Sequence, residues 1–237
     1  MMETADNRLE ALITIMDYSL NEQLVELFEE YDIPVALLTP GSGSAKSSIY
    51  EILGYGGPKK VISITPLTSR MAKDFMGQLC KRFNLSKPGT GIACTIRLSS
   101  ITSTLAKILH QADENKEIGS EEMTVAPTEQ YHLIVSIVNT GQFDQVMEAA
   151  KKAGATGGTL VHARGLGSKE AIKYLGITIQ PEKDLVLILA PESKKLAIME
   201  SIKKEVGLTT PGMGICFSLP VSSAIGVESP VENFNEL

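Results

Sequence analysis

The pentapeptide Pro88-Gly89-Thr90-Gly91-Ile92 returns as Pro211-Gly212-Met213-Gly214-Ile215, 123 residues further along a chain of 237. A recurrence at half the chain length constrains the fold to two copies of one unit. The flanks repeat in the same order. An amphipathic segment precedes each pentapeptide, Ser69 to Phe83 and Lys194 to Val206. Before each lies an apolar run closed by proline, Val61 to Pro66 and Leu185 to Pro191. Further upstream, Gly41-Ser42-Gly43-Ser44 aligns with Gly165-Leu166-Gly167-Ser168, and each half opens on an alternating apolar run, Leu12 to Met16 and Leu133 to Val138. The spacing predicts repeat 1 over 9–110, a charged and Gly/Pro-containing linker over 111–128, repeat 2 over 129–227 and a tail over 228–237.

Repeat 2 reads as alternating strands and helices. Leu133 to Val138 is a β-rich run. Phe143, Val146, Met147 and Ala150 recur at helical steps, and Gly154 ends that helix. Thr159 to Ala163 is a second strand, and Leu185 to Ala190, apolar throughout, is a central third. A second helix starts at Pro191-Glu192-Ser193, turns Leu196, Ile198, Met199 and Ile202 inward and stops at Gly207. Ile215 to Leu219 is the last strand. The order βαββαβ predicts an α+β chain of two tandem ferredoxin-like domains with antiparallel sheets. One sheet face is left open, which predicts oligomerisation through the sheets. With aromatics at 5% and no Trp, the cores are expected to be aliphatic.

Composition removes several function classes. A net charge of −6 without a basic run argues against nucleic-acid binding. Three cysteines without CxxC spacing and three histidines without clustered ligands argue against a disulfide framework and a metal site. No nucleophile–base pair or carboxylate dyad points to an enzyme. The polar N-terminus lacks a secretory pattern and the apolar runs are short, so a soluble cytoplasmic protein is expected. Gly41 to Ser47 fails as a P-loop because Ala45 stands where Gly must precede Lys46; it is expected to be a flexible loop base. Cys94 and Cys216 fall at nearly matched places in the last strands, as small buried hydrophobes.

The stretch Gly154 to Gly167, GATGGTLVHARGLG, together with the glycine-containing turn before the last strand, resembles the PII family of trimeric nitrogen-signalling proteins. The resemblance covers Gln130 to Val227 and, more weakly, Leu9 to about Leu109. It implies a non-catalytic signalling protein with no obligatory cofactor. Adenine nucleotides would sit in clefts between domains, and a long loop would dock onto a target enzyme or transporter. Carried over, Thr159 lies on the nucleotide-facing strand, Gly165 and Gly167 at the loop base, and Gly212, Met213, Gly214 and Ile215 in the phosphate-side loop. Arg164 is the candidate cation. Gly41, Gly43, Gly89 and Gly91 are the counterparts in repeat 1. Successive N–H groups in such glycine turns form a concave anion site.

Two departures bear on the ligand. The family carries a Lys where Ile215 and Ile92 stand, and Pro220 to Ala224 supply none of its basic residues after the last strand. A triphosphate would lack its main charge partners, while AMP, ADP, a cyclic dinucleotide or another small anion stays compatible with backbone donors. The resemblance implies a homo-oligomer, a trimer or a pseudo-trimeric arrangement of repeats. An interaction module without a small-molecule ligand is the alternative.

Overall fold

The computed structural model describes residues 8–44, 57–85, 90–114, 130–164 and 182–227. They form two compact units. The first comprises Met1–Thr39, Val61–Thr128 and Val221–Leu237; the second comprises Pro40–Lys60 and Glu129–Pro220.

The first unit runs β1 (Leu9–Asp17), α1 (Asn21–Glu30), β2 (Leu37–Gly43), β3 (Lys59–Thr68), α2 (Ser69–Phe83), β4 (Gly91–Arg97) and α3 (Ser103–Glu114), the end of β2 from Pro40 and the start of β3 through Lys60 belonging to the second unit. Its strands lie in the order β2-β3-β1-β4, with β9 (Ser223–Ile225) added outside β4. Helix α2 starts where Thr68 Oγ1 accepts the Met71 N–H at 3.2 Å, and ends at Asn84 in the left-handed region, φ 50°. Met71, Ala72, Phe75, Met76, Leu79 and Phe83 form its buried stripe. These meet Leu24, Leu27 and Phe28 of α1 over Leu12, Met16, Val61 and Leu67 of the sheet.

The expectation of an aliphatic core fails in this unit. Phe28 stacks on Phe75 with ring centroids 5.1 Å apart, and Tyr31 meets the same ring edge-on at 5.8 Å. Phe83 joins them in the same core. The charged stretch from Gln111 to Glu114, expected in the linker, is the last turn of α3. Arg70 Nε donates to Asp113 Oδ1 at 2.9 Å, so charge here ties two helices together.

The second unit runs β5 (Tyr131–Asn139), α4 (Phe143–Lys152), β6 (Thr159–Arg164), β7 (Glu182–Pro191), α5 (Glu192–Val206) and β8 (Ile215–Pro220), with strands in the order β8-β5-β7-β6. Both units therefore have the βαββαβ order, antiparallel pairing and strand arrangement of a ferredoxin-like fold. Its core is aliphatic, with Ile134, Val138, Val186 and Ile188 under Val146, Met147, Ile198 and Ile202. Leu196, expected inward, is 70% exposed. The buried stripe of α5 is Ile198, Ile202 and Val206, and a position two residues before Ile198 points about 200° away on a helix.

Gly41 and Gly43 lie in the last residues of strand β2. Ser42 and Gly43 pair with Leu160 and Thr159, the Gly43 N–H donates to Pro58 O at 2.8 Å, and a Cβ on Gly43 would sit 3.1 Å from the Pro58 ring. Ser44 closes the pairing: its N–H donates to Gly158 O and its Oγ accepts the Gly158 N–H, both at 2.9 Å.

The two cysteines differ by one register step. Cys216 pairs with Ser136 and Cys94 with Ile13, whereas the residue opposite Thr14, the counterpart of Ser136, is Ala93. One step along a strand moves a side chain to the other face. Cys216 therefore lies on the helix-facing side, where its Sγ accepts the Ser136 hydroxyl at 3.3 Å. Cys94 faces the opposite side, 2% exposed, and burial pushes its thiol up to about 12. Cys94 is expected to resist a disulfide-exchange reagent at pH 8 in the folded protein and to react on unfolding, as thiol counting with and without denaturant would show. Because the unfolded thiol ionises near 9.0 while the folded one keeps its proton, this group lowers stability as pH rises from about 9 toward about 12.

Candidate ligand site

The sequence-derived candidates divide between places. Thr159, 6% exposed, pairs with Leu187 on one side and Gly43 on the other, at the start of β6. Arg164 is at the far end of that strand, exposed, opposite Glu182. Five residues of strand separate them by about 17 Å. Gly91 is in the first unit, opposite Met16. Gly89, Gly165 and Gly167 lie outside the described residues.

The turn Pro211–Ile215 is built from close contact with the end of α5. Gly212 donates to Thr210 Oγ1 at 3.2 Å, Met213 to Thr210 O at 3.1 Å and Gly214 to Val206 O at 2.7 Å. The three N–H groups expected to cradle an anion are thus committed inside the turn. The glycines serve the chain's approach to itself: a Cβ on Gly212 or Gly214 would press into Val206. Met213 occupies the left-handed region, φ 47°, where a side chain carries a conformational cost.

A cation nevertheless stands at this turn, supplied by β7. Asn139 and Lys183 are register partners. Lys183 Nζ donates to Asn139 Oδ1 at 2.5 Å, and Asn139 Nδ2 donates to Pro211 O at 2.9 Å. The Asn139 N–H also donates to Gly212 O at 2.9 Å. Lys183 is only 8% exposed, and burial pulls its ammonium below the ordinary lysine value. No carboxylate among the described residues forms a salt bridge with it. Sequence reasoning missed both residues; the one available signal was the charged start, Glu182-Lys183-Asp184, of a strand that is apolar from Leu185 on.

On the other side of the sheet, Asp184 is 1% exposed. Its Oδ2 accepts the Gly141 N–H at 2.9 Å and its Oδ1 accepts His162 Nδ1 at 3.0 Å. This carboxylate ties the β5–α4 turn to β6 and β7 and leaves His162 largely in solvent, its side chain 74% exposed. Among the described residues no group of three or more His, Cys, Asp or Glu could hold a metal ion, and no helix is long and apolar enough to cross a membrane.

The family model described as nitrogen regulatory protein P-II matches residues 131–229, which spans the second βαββαβ set. The second βαββαβ set is a P-II domain. Among solved structures, PII of Arabidopsis thaliana bound to citrate is 23% identical, with 40% of this chain and 79% of that one covered, at a TM-score of 0.31. GlnK of B. subtilis is 21% identical, with 39% and 86% covered, at a TM-score of 0.30; its complex with ATP is also 21% identical, with 39% and 84% covered, at 0.30. No curated protein matches the chain.

Proposed function

We propose that this chain, which carries a P-II domain, is a non-catalytic regulator that binds a small anionic effector at the Lys183–Asn139–Pro211 corner and acts on partner proteins. The observation that carries this is Lys183, a residue 8% exposed whose ammonium is answered among the described residues by one amide oxygen. Burying an ammonium without a counter-charge is costly, so an anion placed there is stabilising. The same cation answers the absence of a Lys at Ile215. Arg164 stands on the other face of the sheet, with His162 and Asp184, and takes no part in this corner. Adenine nucleotides, cyclic dinucleotides and 2-oxoglutarate carry the anionic groups this corner selects. The P-II domain over residues 131–229 supports the regulatory role, the target being an enzyme or transporter and the assembly a homo-oligomer.

Thermal-shift screening against those compounds, confirmed by calorimetry, tests it. One of them is expected to stabilise the protein, by about 2.7 kcal/mol at a hundredfold excess over Kd. Lys183→Met is expected to weaken that ligand about 10- to 100-fold, the worth of a charged hydrogen bond. The same variant should keep or raise the melting temperature without ligand, because it removes a buried charge. A purely structural Lys183 would show the reverse. The committed N–H groups of the 212–214 turn favour the second reading, an interaction module indifferent to small molecules. No response to any compound would decide for it.

A further inference from the structure

Along one side of α1 runs a groove of about 600 Å³, lined only by residues of the first unit. Its floor is apolar. Val25 and Phe28 come from α1, Ile33 and Ala36 from the segment after it, and Leu38 from β2. Phe28 is buried and the other four are half-buried, so aliphatic surface of the core is left open to solvent here. Glu29 and Asp32, both exposed, border the groove, and neither forms a salt bridge among the described residues.

The repeat shows that these two carboxylates are not there for stability. α4, the counterpart of α1, has the same length of 10 residues and closes on Lys151 and Lys152, cations that suit the negative end of a helix. The chain then turns at Gly154, φ 96°. α1 is followed by the same turn: the Ile33 N–H donates to Phe28 O as that of Ala155 does to Ala150 O, and the Asp32 N–H to Glu29 O as that of Gly154 does to Lys151 O. Yet the last turn of α1 holds no base, and Asp32 takes the place of the glycine at φ 46°. Acids at a helix C-terminus and a side chain in the left-handed region both lower stability. Arg82 answers Glu30 at 2.6 Å and Glu26 at 3.7 Å, which leaves Glu29 and Asp32 at the groove.

We propose that this groove docks a cationic amphipathic helix of a partner protein, with aliphatic side chains on the floor and Lys or Arg against Glu29 and Asp32. A helix presents apolar and basic side chains on one face at three- and four-residue spacing, and the two carboxylates stand three residues apart. An acidic segment would meet like charges, and an uncharged one would desolvate two carboxylates without a counter-charge. The groove lies outside residues 131–229 and uses no residue of the Lys183 corner, so it stands or fails separately from effector binding.

Two labelled model helices of about 14 residues, four turns, test it by fluorescence anisotropy on the full chain. One is built of Leu and Lys, the other of Leu and Glu. The Leu/Lys helix is expected to bind and the Leu/Glu helix is not. Glu29→Gln with Asp32→Asn should weaken the Leu/Lys helix about 5- to 30-fold, the worth of two exposed ion pairs. That double variant should melt no lower than the wild type, because it removes like charge from the end of α1. Val25→Ser should weaken the same helix by removing part of the floor. Glu200→Gln with Glu205→Gln, an equal loss of charge on α5, should leave its affinity unchanged. No binding of the Leu/Lys helix, equal binding of both helices, or equal losses in the two charge variants would each overturn the proposal. An assembly of copies that excludes the helix and falls apart in Val25→Ser, seen by light scattering, would overturn it too and give the groove to a second chain.

Discussion

Phe75→Ala is expected to cost about 3–5 kcal/mol, the range for deleting a fully buried aromatic ring. Phe75 is 0% exposed and is the shared partner of two other rings, stacked on Phe28 with an interplanar angle of 7° and met edge-on by Tyr31 at 79°. Truncation removes the burial of the ring and both aromatic contacts, and leaves a cavity bounded by α1, α2 and the sheet. Those walls are held from several sides by Leu12, Leu24 and Leu79, all 0% exposed, so the site collapses poorly. Urea unfolding followed by far-UV dichroism should show the transition of the first unit shifted down by about 1 M or more. A loss under about 1 kcal/mol would mean that this cluster is not the centre of the core.

Gly214→Ala is expected to destabilise the second unit by about 1–3 kcal/mol, the usual cost of forcing an atom into a packed place. A Cβ there would press on the Val206 carbonyl oxygen and come within 2.9 Å of Val138 Cγ1. It would also strain the 2.7 Å bond from the Gly214 N–H to that same carbonyl. Backbone on one side and a buried β5 residue on the other leave no flexible neighbour to yield. Gly141→Ala is the control. Its φ of 88° disfavours a side chain, but nothing lies within 4 Å of the added Cβ, so only the conformational cost of about 1 kcal/mol is expected. Melting temperatures of the two variants should separate accordingly. Equal losses would mean that the 211–215 turn adapts and that its glycines answer only a conformational demand. Calorimetry on Gly214→Ala would add whether the Lys183 corner, which borrows Pro211 O through Asn139, keeps its affinity.

Much of the second unit was legible along the chain. Its strands and helices came out of period-2 and period-3.6 patterns in β5, α4, β7 and α5, and Gly154 marked a helix end at φ 96° as a helix-ending glycine does. The errors arose where one local signal had two physical meanings. The charges before Asn115 fitted a linker, yet Asp113 pairs with Arg70 43 residues away. Leu196 fitted a buried stripe by hydrophobicity, but Ile198, Ile202 and Val206 set the phase of that helix. The site was less legible than the fold. The glycines of the 211–215 turn were visible, but the direction of their N–H groups was not, since it depends on where Val206 ends α5. Lys183 carried no motif at all.

From the order of residues alone came the repetition, the βαββαβ order in each half and the class of fold. These depend on patterns a few residues long and on a turn that recurs intact. Three-dimensional pairing was needed for everything that joins distant positions: Lys183 to Asn139 across 44 residues, Asn139 to Pro211 across 72, and β9 to a strand more than 120 residues earlier. It also set Cys94 and Cys216 on opposite faces, because a single register step reverses a strand residue and that step is a property of the pair, invisible in either strand alone.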